Sequence, residues 1–292
     1  MKSRGSWLIL LAACLWGTNG TAQALAPAGA QPIIIGVLRI SLGGLALLVF
    51  ALARGTLRDG KPWPWKPTLM AALSMAAYQI FFFAGVARTG VAIGTIVGIG
   101  STPILAGPIG YLVRHERPSR RWVATTLLGI LGCAMLVLAG KQIQLDLLGI
   151  FLAICAGGSY AIFTTASKGL IEEHSPEAVM AVTFCLGACL VLPLLITANL
   201  GWLSQPSGFL VILHLGLITA GLAYTLFAQG LRLVPVATAA SLTLGEPLTA
   251  GLLGVFFLRE TLTVVAGVGI LLIFTGLILL TVEKPRAFAT PT

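Results

Sequence analysis

Charged residues are scarce in this sequence. Only 9% of its 292 residues are Asp, Glu, Lys or Arg, and 57% are hydrophobic, whereas soluble domains carry about 25% charged residues. A water-facing surface cannot be built from this composition. The ten-residue alternation of apolar and polar positions that marks a membrane β-barrel is missing as well. The composition therefore predicts an all-α integral membrane protein, because a helix satisfies its own backbone in lipid.

Enzyme and metal-site motifs are also missing. The sequence contains no GxxxxGK[ST] phosphate loop, no HExxH and no GxSxG, so ATP hydrolysis and the common hydrolase chemistries have no support. The five cysteines lie within apolar stretches and lack metal-ligand spacing, which is typical of packing residues; they are Cys14, Cys133, Cys155, Cys185 and Cys189. We therefore expect no enzyme, no metal and no cofactor.

What the sequence does have is a gapless repeat at an offset of 144 residues. The matching pairs include Ala12 with Ala156, Thr21 with Thr165, Pro32 with Pro176, Arg88 with Arg232, Pro103 with Pro247 and Glu116 with Glu260. Solenoid repeats are much shorter than this. A period of this length indicates duplication of a whole multi-helix half, as in many transporters.

Ten apolar stretches are long enough to cross a hydrocarbon layer of about 30 Å as helices. They cover residues 6–25, 33–53, 68–87, 91–113, 122–139, 148–167, 178–198, 208–230, 236–257 and 264–282. Five belong to each repeat. We therefore predict one transmembrane domain over 1–292, with repeat 1 at 6–140 and repeat 2 at 148–284.

The number of spans per repeat fixes their relative orientation. Because five is odd, the second repeat enters the membrane from the opposite side, so the repeats are inverted. Lys and Arg collect on cytoplasmic loops, and their distribution here places both termini in the cytoplasm. This bias also explains the net charge of +9, which leaves little support for a nucleic-acid partner. The segment 6–25 resembles a signal peptide, but its repeat partner at 150–169 predicts that it is retained.

Polar residues concentrate in spans 1, 3, 4, 6, 8 and 9. Since polar side chains in membrane helices tend to face a bundle interior or water, these spans are predicted to line a central cavity. The candidate substrate-binding residues are Trp16, Asn19, Tyr78, Thr95, Thr102, Ser159, Tyr160, Phe163, Tyr224, Ser241 and Glu246. For each hydroxyl residue, bonding within its own helix or to a neighbouring helix is an open alternative.

Three ionisable residues are candidates for coupling or gating. Glu246 is the only acidic residue near mid-membrane, and Pro247 is expected to break or kink its span; Pro103 is expected to do the same to span 4. Arg39 either faces the site or snorkels to the interface. His214 either relays protons or is an ordinary interfacial histidine. Glu246 itself either meets substrate or only satisfies the broken backbone.

Motifs throughout the chain resemble the EamA family of the drug/metabolite transporter superfamily. They are Trp16–Gly17, the Arg39 element, Pro103 with Ala106, Gly107 and Glu116, and Leu244–Gly245–Glu246–Pro247 with Gly251, Gly254 and Glu260. Tyr160 departs from the family pattern, in which a Trp usually stands at this place. Within the family, the chain resembles in particular the bacterial aromatic amino acid exporters of the YddG type. The resemblance implies ten helices in a bacterial inner membrane and two inverted EamA repeats.

This resemblance implies export of amino acids, including aromatic and other neutral ones, by alternating access. We expect amino acid substrates, a lipid bilayer environment, and a monomer or weak homodimer. Export of other small metabolites or cationic drugs is the alternative, although span 1 has no acidic residue for a cation. A membrane-embedded lipid enzyme is the remaining alternative, and it would need clustered His or Asp at one interface.

Overall fold

The computed structural model describes residues 2–57, 60–138, 146–256 and 263–281, and within them the regular structure is helical. Repeat 1 contains α1 Lys2–Trp16, α2 Asn19–Ala24, α3 Pro32–Ala53, α4 Trp65–Arg114 and α5 Arg120–Leu138. Repeat 2 contains α6 Leu147–Glu173, α7 Pro176–Val191, α8 Pro206–Leu213, α9 Ala223–Leu231, α10 Val236–Leu242, α11 Gly245–Phe256 and α12 Val264–Thr281. A π-helical segment, His214–Leu222, joins α8 to α9, and two short 3₁₀ turns, Leu192–Leu195 and Gly201–Ser204, separate α7 from α8.

Eight helical segments in the described ranges are long and apolar enough to cross a membrane. They are Pro32–Ala53, Trp65–Gly90, Ile93–Arg114, Leu147–Glu173, Pro176–Leu195, Pro206–Leu231, Val236–Phe256 and Val264–Thr281. The first predicted span corresponds to α1 with α2, and the fifth to α5. The all-helical membrane fold expected from the sequence is confirmed.

The long helix α4 turns sharply at Gly90 and thereby forms two spans. Gly90 has φ 80° and ψ 159°, a backbone conformation that residues with a Cβ rarely adopt. Thr89 adds local hydrogen bonds from its hydroxyl to Gly85 O at 2.9 Å and to Gly90 O at 3.3 Å. The chain therefore reverses its direction at Gly90 without a long loop.

The first span is broken between α1 and α2. Thr18 Oγ1 donates to Leu15 O at 2.6 Å, so this hydroxyl satisfies one of the carbonyls that the end of α1 leaves open. Gly17 allows the junction to lie directly against α11, because a Cβ there would come within 2.9 Å of Glu246 O. The broken segment of repeat 1 therefore contacts the broken segment of repeat 2.

The ninth span is broken between α10 and α11, at Thr243 and Leu244. Leu244 N donates to Ser241 O at 3.2 Å and Glu246 N donates to Thr243 O at 2.9 Å, so a turn replaces the helix here. Pro247 then lies in the first turn of α11, where the missing N–H costs nothing. The expected break next to Pro247 is present, on its N-terminal side.

At Pro103 the span does not break, since α4 stays helical through this residue; of the break or kink expected here, the break is absent. Packing against α6 explains this. A Cβ on Gly157 of α6 would lie 2.7 Å from Gly98 O and 3.1 Å from Thr102 N, so the two backbones are in close contact around the proline. Neighbouring helices allow proline to remain inside a membrane helix. The broken spans are consequently 1 and 9, which are not repeat partners.

The helix packing has the symmetry of the repeat. α1 packs on α9, and its repeat partner α6 packs in the same way on the first part of α4. In addition, α3 packs on α7 and α5 packs on α12. Exchanging the two repeats leaves this set of contacts unchanged, so a pseudo-twofold axis relates them. Glycines mark the closest approaches, for example Gly132 and Gly269, where a Cβ on either would lie 2.6 Å from the carbonyl oxygen of the other. With five spans per repeat, the axis runs in the membrane plane.

Candidate functional site

A central cavity lies where the two repeats meet. Its lining residues come from spans 1, 2, 3, 4, 6, 8 and 9, and they are Trp16, Asn19, Arg39, Tyr78, Ile99, Thr102, Tyr160, Tyr224, Thr243 and Glu246. The free volume of the cavity is about 20 Å³, which is room for about one water molecule. Small-molecule sites enclose about 300–1,000 Å³, so the cavity is closed to a ligand of that size in this conformation.

Repeat partners face each other across this cavity. Trp16 and Tyr160, Ile99 and Thr243, and Thr102 and Glu246 are each 144 residues apart, and all six line the cavity. The rings of Trp16 and Tyr160 meet edge-on with centroids 6.3 Å apart. The cavity therefore lies on the pseudo-twofold axis.

The two charged residues of the cavity break this symmetry. Glu246 stands where repeat 1 has Thr102, and Arg39 stands where repeat 2 has Thr183. Charge in the membrane interior is costly and is usually kept for function. The shape of the cavity is therefore symmetric, whereas its charge distribution is not.

Aromatic rings form most of the cavity wall and support one another. The ring centroids of Trp16 and Tyr224 are 4.8 Å apart, and those of Tyr78 and Tyr160 are 5.2 Å apart. Behind them, Phe184 contacts Tyr224 at 4.5 Å. Trp16 Nε1 donates to Thr219 O at 2.8 Å, which fixes the indole in place. The wall is consequently rigid and apolar, with hydroxyl groups at its edge.

Arg39 is buried, with 6% of its surface exposed, and faces the cavity from α3. Its Nε donates to Thr219 Oγ1 at 3.2 Å and one Nη donates to Thr219 O at 3.5 Å. Thr219 Oγ1 in turn donates to Leu215 O at 2.8 Å, which orients its lone pairs toward the guanidinium. Snorkelling to the interface, the alternative from the sequence, is excluded by this position.

Glu246 lies in the first turn of α11, where the helix dipole favours a negative charge. Asn19 and Arg39 are two of the polar groups near its carboxylate. The described ion pairs with N–O distances within 4 Å are at other places, so Arg39 and Glu246 share the cavity without touching. Asn19 Oδ1 and the Tyr160 hydroxyl are buried there without a hydrogen-bond partner among the described residues.

The structure places the other predicted residues outside the cavity lining. Phe163 packs behind it, 5.6 Å from Tyr160 and 6.0 Å from Tyr224 between ring centroids. Ser241 Oγ bonds Thr126 Oγ1 at 2.7 Å, which ties α10 to α5. Thr95 is partly buried on α4, and Ser159 is buried on α6.

His214, the remaining coupling candidate, also lies away from the cavity lining. Its Nε2 is 2.8 Å from Thr18 Oγ1, at the break of the first span. The structure adds Ile99 and Thr243 to the lining. Each lies three residues before a predicted site residue, Thr102 or Glu246, so helical spacing combined with the repeat would have identified both.

A second cavity of about 200 Å³ lies at the end of the bundle that the charge distribution predicts to be cytoplasmic. Lys168 of α6 crosses it and donates from Nζ to Leu231 O at 2.6 Å, Val234 O at 3.0 Å and Arg232 O at 3.2 Å. These oxygens lie at the C-terminal end of α9, where carbonyls lack helical partners. Lys168 thus connects α6 to the end of α9.

Two ion pairs of Arg114 lie beside this second cavity, and one of them joins the two repeats. Arg114, at the end of α4, pairs with Glu116 at 3.5 Å and also with Glu172 of α6. Glu116 Oε2 accepts a hydrogen bond from Val236 N at 2.7 Å, at the start of α10. We call Arg114, Glu116, Lys168 and Glu172 the end cluster. It holds α4, α6, α9 and α10 together at one end of the central cavity.

At the opposite end, Arg88 Nε pairs with Asp146 Oδ2 at 3.1 Å. Asp146 also caps α6, because its Oδ1 accepts a hydrogen bond from Gly149 N at 2.9 Å. The Gly149 hydrogen bond and the nearby guanidinium lower the pKa of the Asp146 carboxyl. Both ends of the bundle are therefore joined by polar contacts.

Comparison with known proteins agrees with this architecture. The model of the EamA-like transporter family matches residues 3–138 and 147–282, so it matches twice. A crystal structure with 22% sequence identity superposes with a TM-score of 0.83 over 96% of each chain, which shows the fold.

Named relatives are transporters. The transporter YwfM of Bacillus subtilis is 41% identical over 281 residues, covering 96% of this chain and 94% of YwfM. The threonine/homoserine exporter RhtA of Escherichia coli is 28% identical over 270 residues, covering 88% of this chain and 83% of RhtA. The chain is therefore a multi-pass membrane transporter rather than an enzyme, and it belongs to the EamA-like transporter family.

Proposed function

We propose that this protein exports amino acids across the bacterial inner membrane by alternating access, with both termini in the cytoplasm. The observation that carries the proposal is the closed cavity on the pseudo-twofold axis, with opposite charges and aromatic walls. Inverted repeats of this kind form midplane sites in many transporters. The name of RhtA, a threonine/homoserine exporter, supports the same substrate class.

The closed cavity requires the repeats to move during transport. With about 20 Å³ free, an amino acid enters only when the walls separate. Opening at one end requires the end cluster to break, and opening at the other requires the contacts around Arg88 to break. Rocking of one repeat against the other exposes the cavity to each side in turn. The rigid aromatic wall moves with its helices and gives shape to the site.

The wall chemistry supports a range of amino acid side chains. Trp16, Tyr78, Tyr160 and Tyr224 offer apolar faces with hydroxyl and indole groups, which suit apolar and aromatic side chains. Small hydroxylated amino acids would donate hydrogen bonds to Thr102 and Thr243, whose own hydroxyls donate to Gly98 O and Ala240 O. Aromatic amino acids, as in exporters of the YddG type, and threonine are therefore the substrates to test first.

Export of cationic compounds is the second candidate. The carboxylate of Glu246 lies beside four aromatic rings, and this arrangement of groups binds organic cations. Arg39 on the same cavity opposes it, because a cation would leave that guanidinium without a partner.

Counterflow in proteoliposomes tests both candidates. The purified protein is reconstituted, the vesicles are loaded with each of the amino acids in turn, and uptake of labelled threonine and phenylalanine is followed. Organic cations such as tetraphenylphosphonium are measured in parallel, with and without a pH gradient to detect proton coupling. Amino acid counterflow absent from empty vesicles is the expected result. Transport of the cations alone would replace the proposal with the second candidate.

A further inference from the structure

Arg39 and Glu246 are opposite charges in one closed cavity, and each is held by a neighbour rather than by the other. Thr219 positions the guanidinium, Asn19 faces the carboxylate, and the two charged groups are not in ion-pair contact. Together they are electrically neutral. Because the two charged groups do not pair with each other, both can bind a ligand that has charges of both signs when the cavity opens.

The ligand charge that this arrangement accepts follows from electrostatics. A cation alone would pair with Glu246 and leave Arg39 buried without an opposite charge, and an anion would do the reverse. Uncompensated charge in a dry interior is strongly unfavourable. A zwitterion satisfies both groups at once, since its carboxylate meets the guanidinium and its ammonium meets Glu246.

The hydrogen-bonding capacity of the cavity agrees with such a ligand. Arg39 has five N–H donors, and its two hydrogen bonds to Thr219 leave others beside Tyr224 and the cavity. On the Glu246 side, Asn19 Oδ1 is a buried acceptor without a partner among the described residues. An ammonium group has three donors, which suit the carboxylate and this amide oxygen together.

We infer that the central cavity recognises the zwitterionic backbone of an amino acid, with Arg39 binding the carboxylate and Glu246 binding the ammonium group. The inference rests on the proposed function, and it names the groups that define the substrate class. The asymmetry of the two repeats then has a purpose. Arg39 of repeat 1 binds the carboxylate of the ligand and Glu246 of repeat 2 binds its ammonium group. Binding therefore couples the two repeats, which must move together.

Competition against threonine counterflow tests this assignment. The probes are threonine, threoninol, which lacks the carboxylate, and 3-hydroxybutyrate, which lacks the amine. In the wild type, each analogue should compete about 100-fold more weakly than threonine, because it leaves a buried charge unpaired. Phenylalanine, phenylalaninol and 3-phenylpropionate form a second series of the same design.

Two variants should exchange these preferences. The readout for the variants is ligand-dependent thermal stabilisation of the purified protein, because it does not require transport. 3-Hydroxybutyrate should stabilise Glu246→Gln at least as well as threonine does, and threoninol should do the same for Arg39→Gln. A purely structural role would lower the binding of all three compounds together. If a single variant fails to fold, the double variant Arg39→Gln/Glu246→Gln leaves no unpaired charge; it should fold and lose the preference for the zwitterion.

The outcomes distinguish a failure of the proposed function from a failure of the roles assigned to Arg39 and Glu246. Absence of wild-type counterflow for every amino acid would overturn the proposed function. Amino acid counterflow in which threoninol or 3-hydroxybutyrate competes as well as threonine, or a failure of the variants to exchange preferences in thermal stabilisation, would overturn the assignment of Arg39 and Glu246 and leave the exporter proposal intact.

Discussion

Glu116 of repeat 1 accepts a hydrogen bond from Val236 N of repeat 2, with 2.7 Å between the two atoms. The contact places a carboxylate at the start of α10, where the helix dipole favours it, and α10 leads directly into the break that precedes Glu246. Arg114 and Lys168 add contacts beside it. The polar contacts at this end are thus mechanically connected to the central cavity.

Removing Lys168 should open this end. Lys168→Met deletes hydrogen bonds to three backbone oxygens, and loss of buried polar partners costs about 1–3 kcal/mol. The closed conformation should become less populated. In a variant without native cysteines, a cysteine at Thr243 should react with a membrane-impermeant maleimide roughly tenfold faster from this end.

The matched control for this experiment is Lys66→Met. Lys66 is exposed and lies over the Trp65 ring, 5.6 Å from its centroid, so its removal should leave the labelling rate unchanged. An unchanged rate in Lys168→Met, with the protein monodisperse and folded, would contradict a gating role for the end cluster.

The wall of the cavity should set the preference among amino acids. Tyr78→Ala removes a partly buried ring and should shift counterflow toward bulkier substrates, because space is added without loss of either charge. The measurement is the ratio of phenylalanine to threonine transport. Leu271→Ala is the control, since Leu271 is 62% exposed on the outer face of α12. Equal ratios in Tyr78→Ala and wild type would remove Tyr78 from the site.

Composition and the repeat were sufficient to predict the fold, because a strongly apolar chain with an odd number of spans per repeat has few architectures open to it. Proline alone was a poor guide to helix breaks. Pro247 lies beside a break, whereas Pro103 does not, because close packing of Gly157 on α4 holds that helix together. The break in the first span has no proline, and Gly17 at this break lies directly against α11.

The site was only partly predictable for a related reason. Helical spacing identifies a polar face but does not say which residues on it meet water. Ser241 and Thr126 bond each other, a pairing that requires knowledge of which helices touch. Arg39 and Glu246 lie on helices whose proximity no sequence pattern indicates, so their common cavity emerged only from the fold.

The topology can be tested by cysteine labelling. In a variant without native cysteines, single cysteines are placed at two exposed positions, Ala28 shortly before α3 and Pro62 between α3 and α4. An impermeant maleimide applied to intact cells should label Ala28→Cys and leave Pro62→Cys unlabelled until the membrane is permeabilised. Labelling of Pro62→Cys alone in intact cells would reverse the predicted orientation.

Asp146 should make stability depend on pH in the acid range. The hydrogen bond from Gly149 N, followed by Arg88, lowers the pKa of Asp146 in the folded protein. A lowered folded pKa contributes stability above the unfolded pKa, and this contribution is lost as pH falls through the folded value. Asp146→Asn should therefore be less stable than wild type near neutral pH, and the difference should shrink on acidification.

Thermal unfolding in detergent across this pH range measures the effect of Asp146. Arg88→Gln separates the two causes. Because the Gly149 hydrogen bond is the larger cause, this variant should keep most of the wild-type pH dependence. Loss of all pH dependence in Arg88→Gln would assign the effect to the ion pair instead.

Glu246→Gln distinguishes the roles open to this carboxylate, since it keeps the shape and removes only the charge. If Glu246 carries the coupling proton or binds the amine, transport should collapse or become insensitive to a pH gradient while the protein stays folded. Glu177→Gln is the matched control, because Glu177 is also buried but bonds Gln229 near the predicted cytoplasmic end, at 2.9 Å. Near-normal, pH-responsive transport by Glu246→Gln would instead mean that Glu246 only stabilises the first turn of α11. Glu246 would then no longer be assigned to the substrate site.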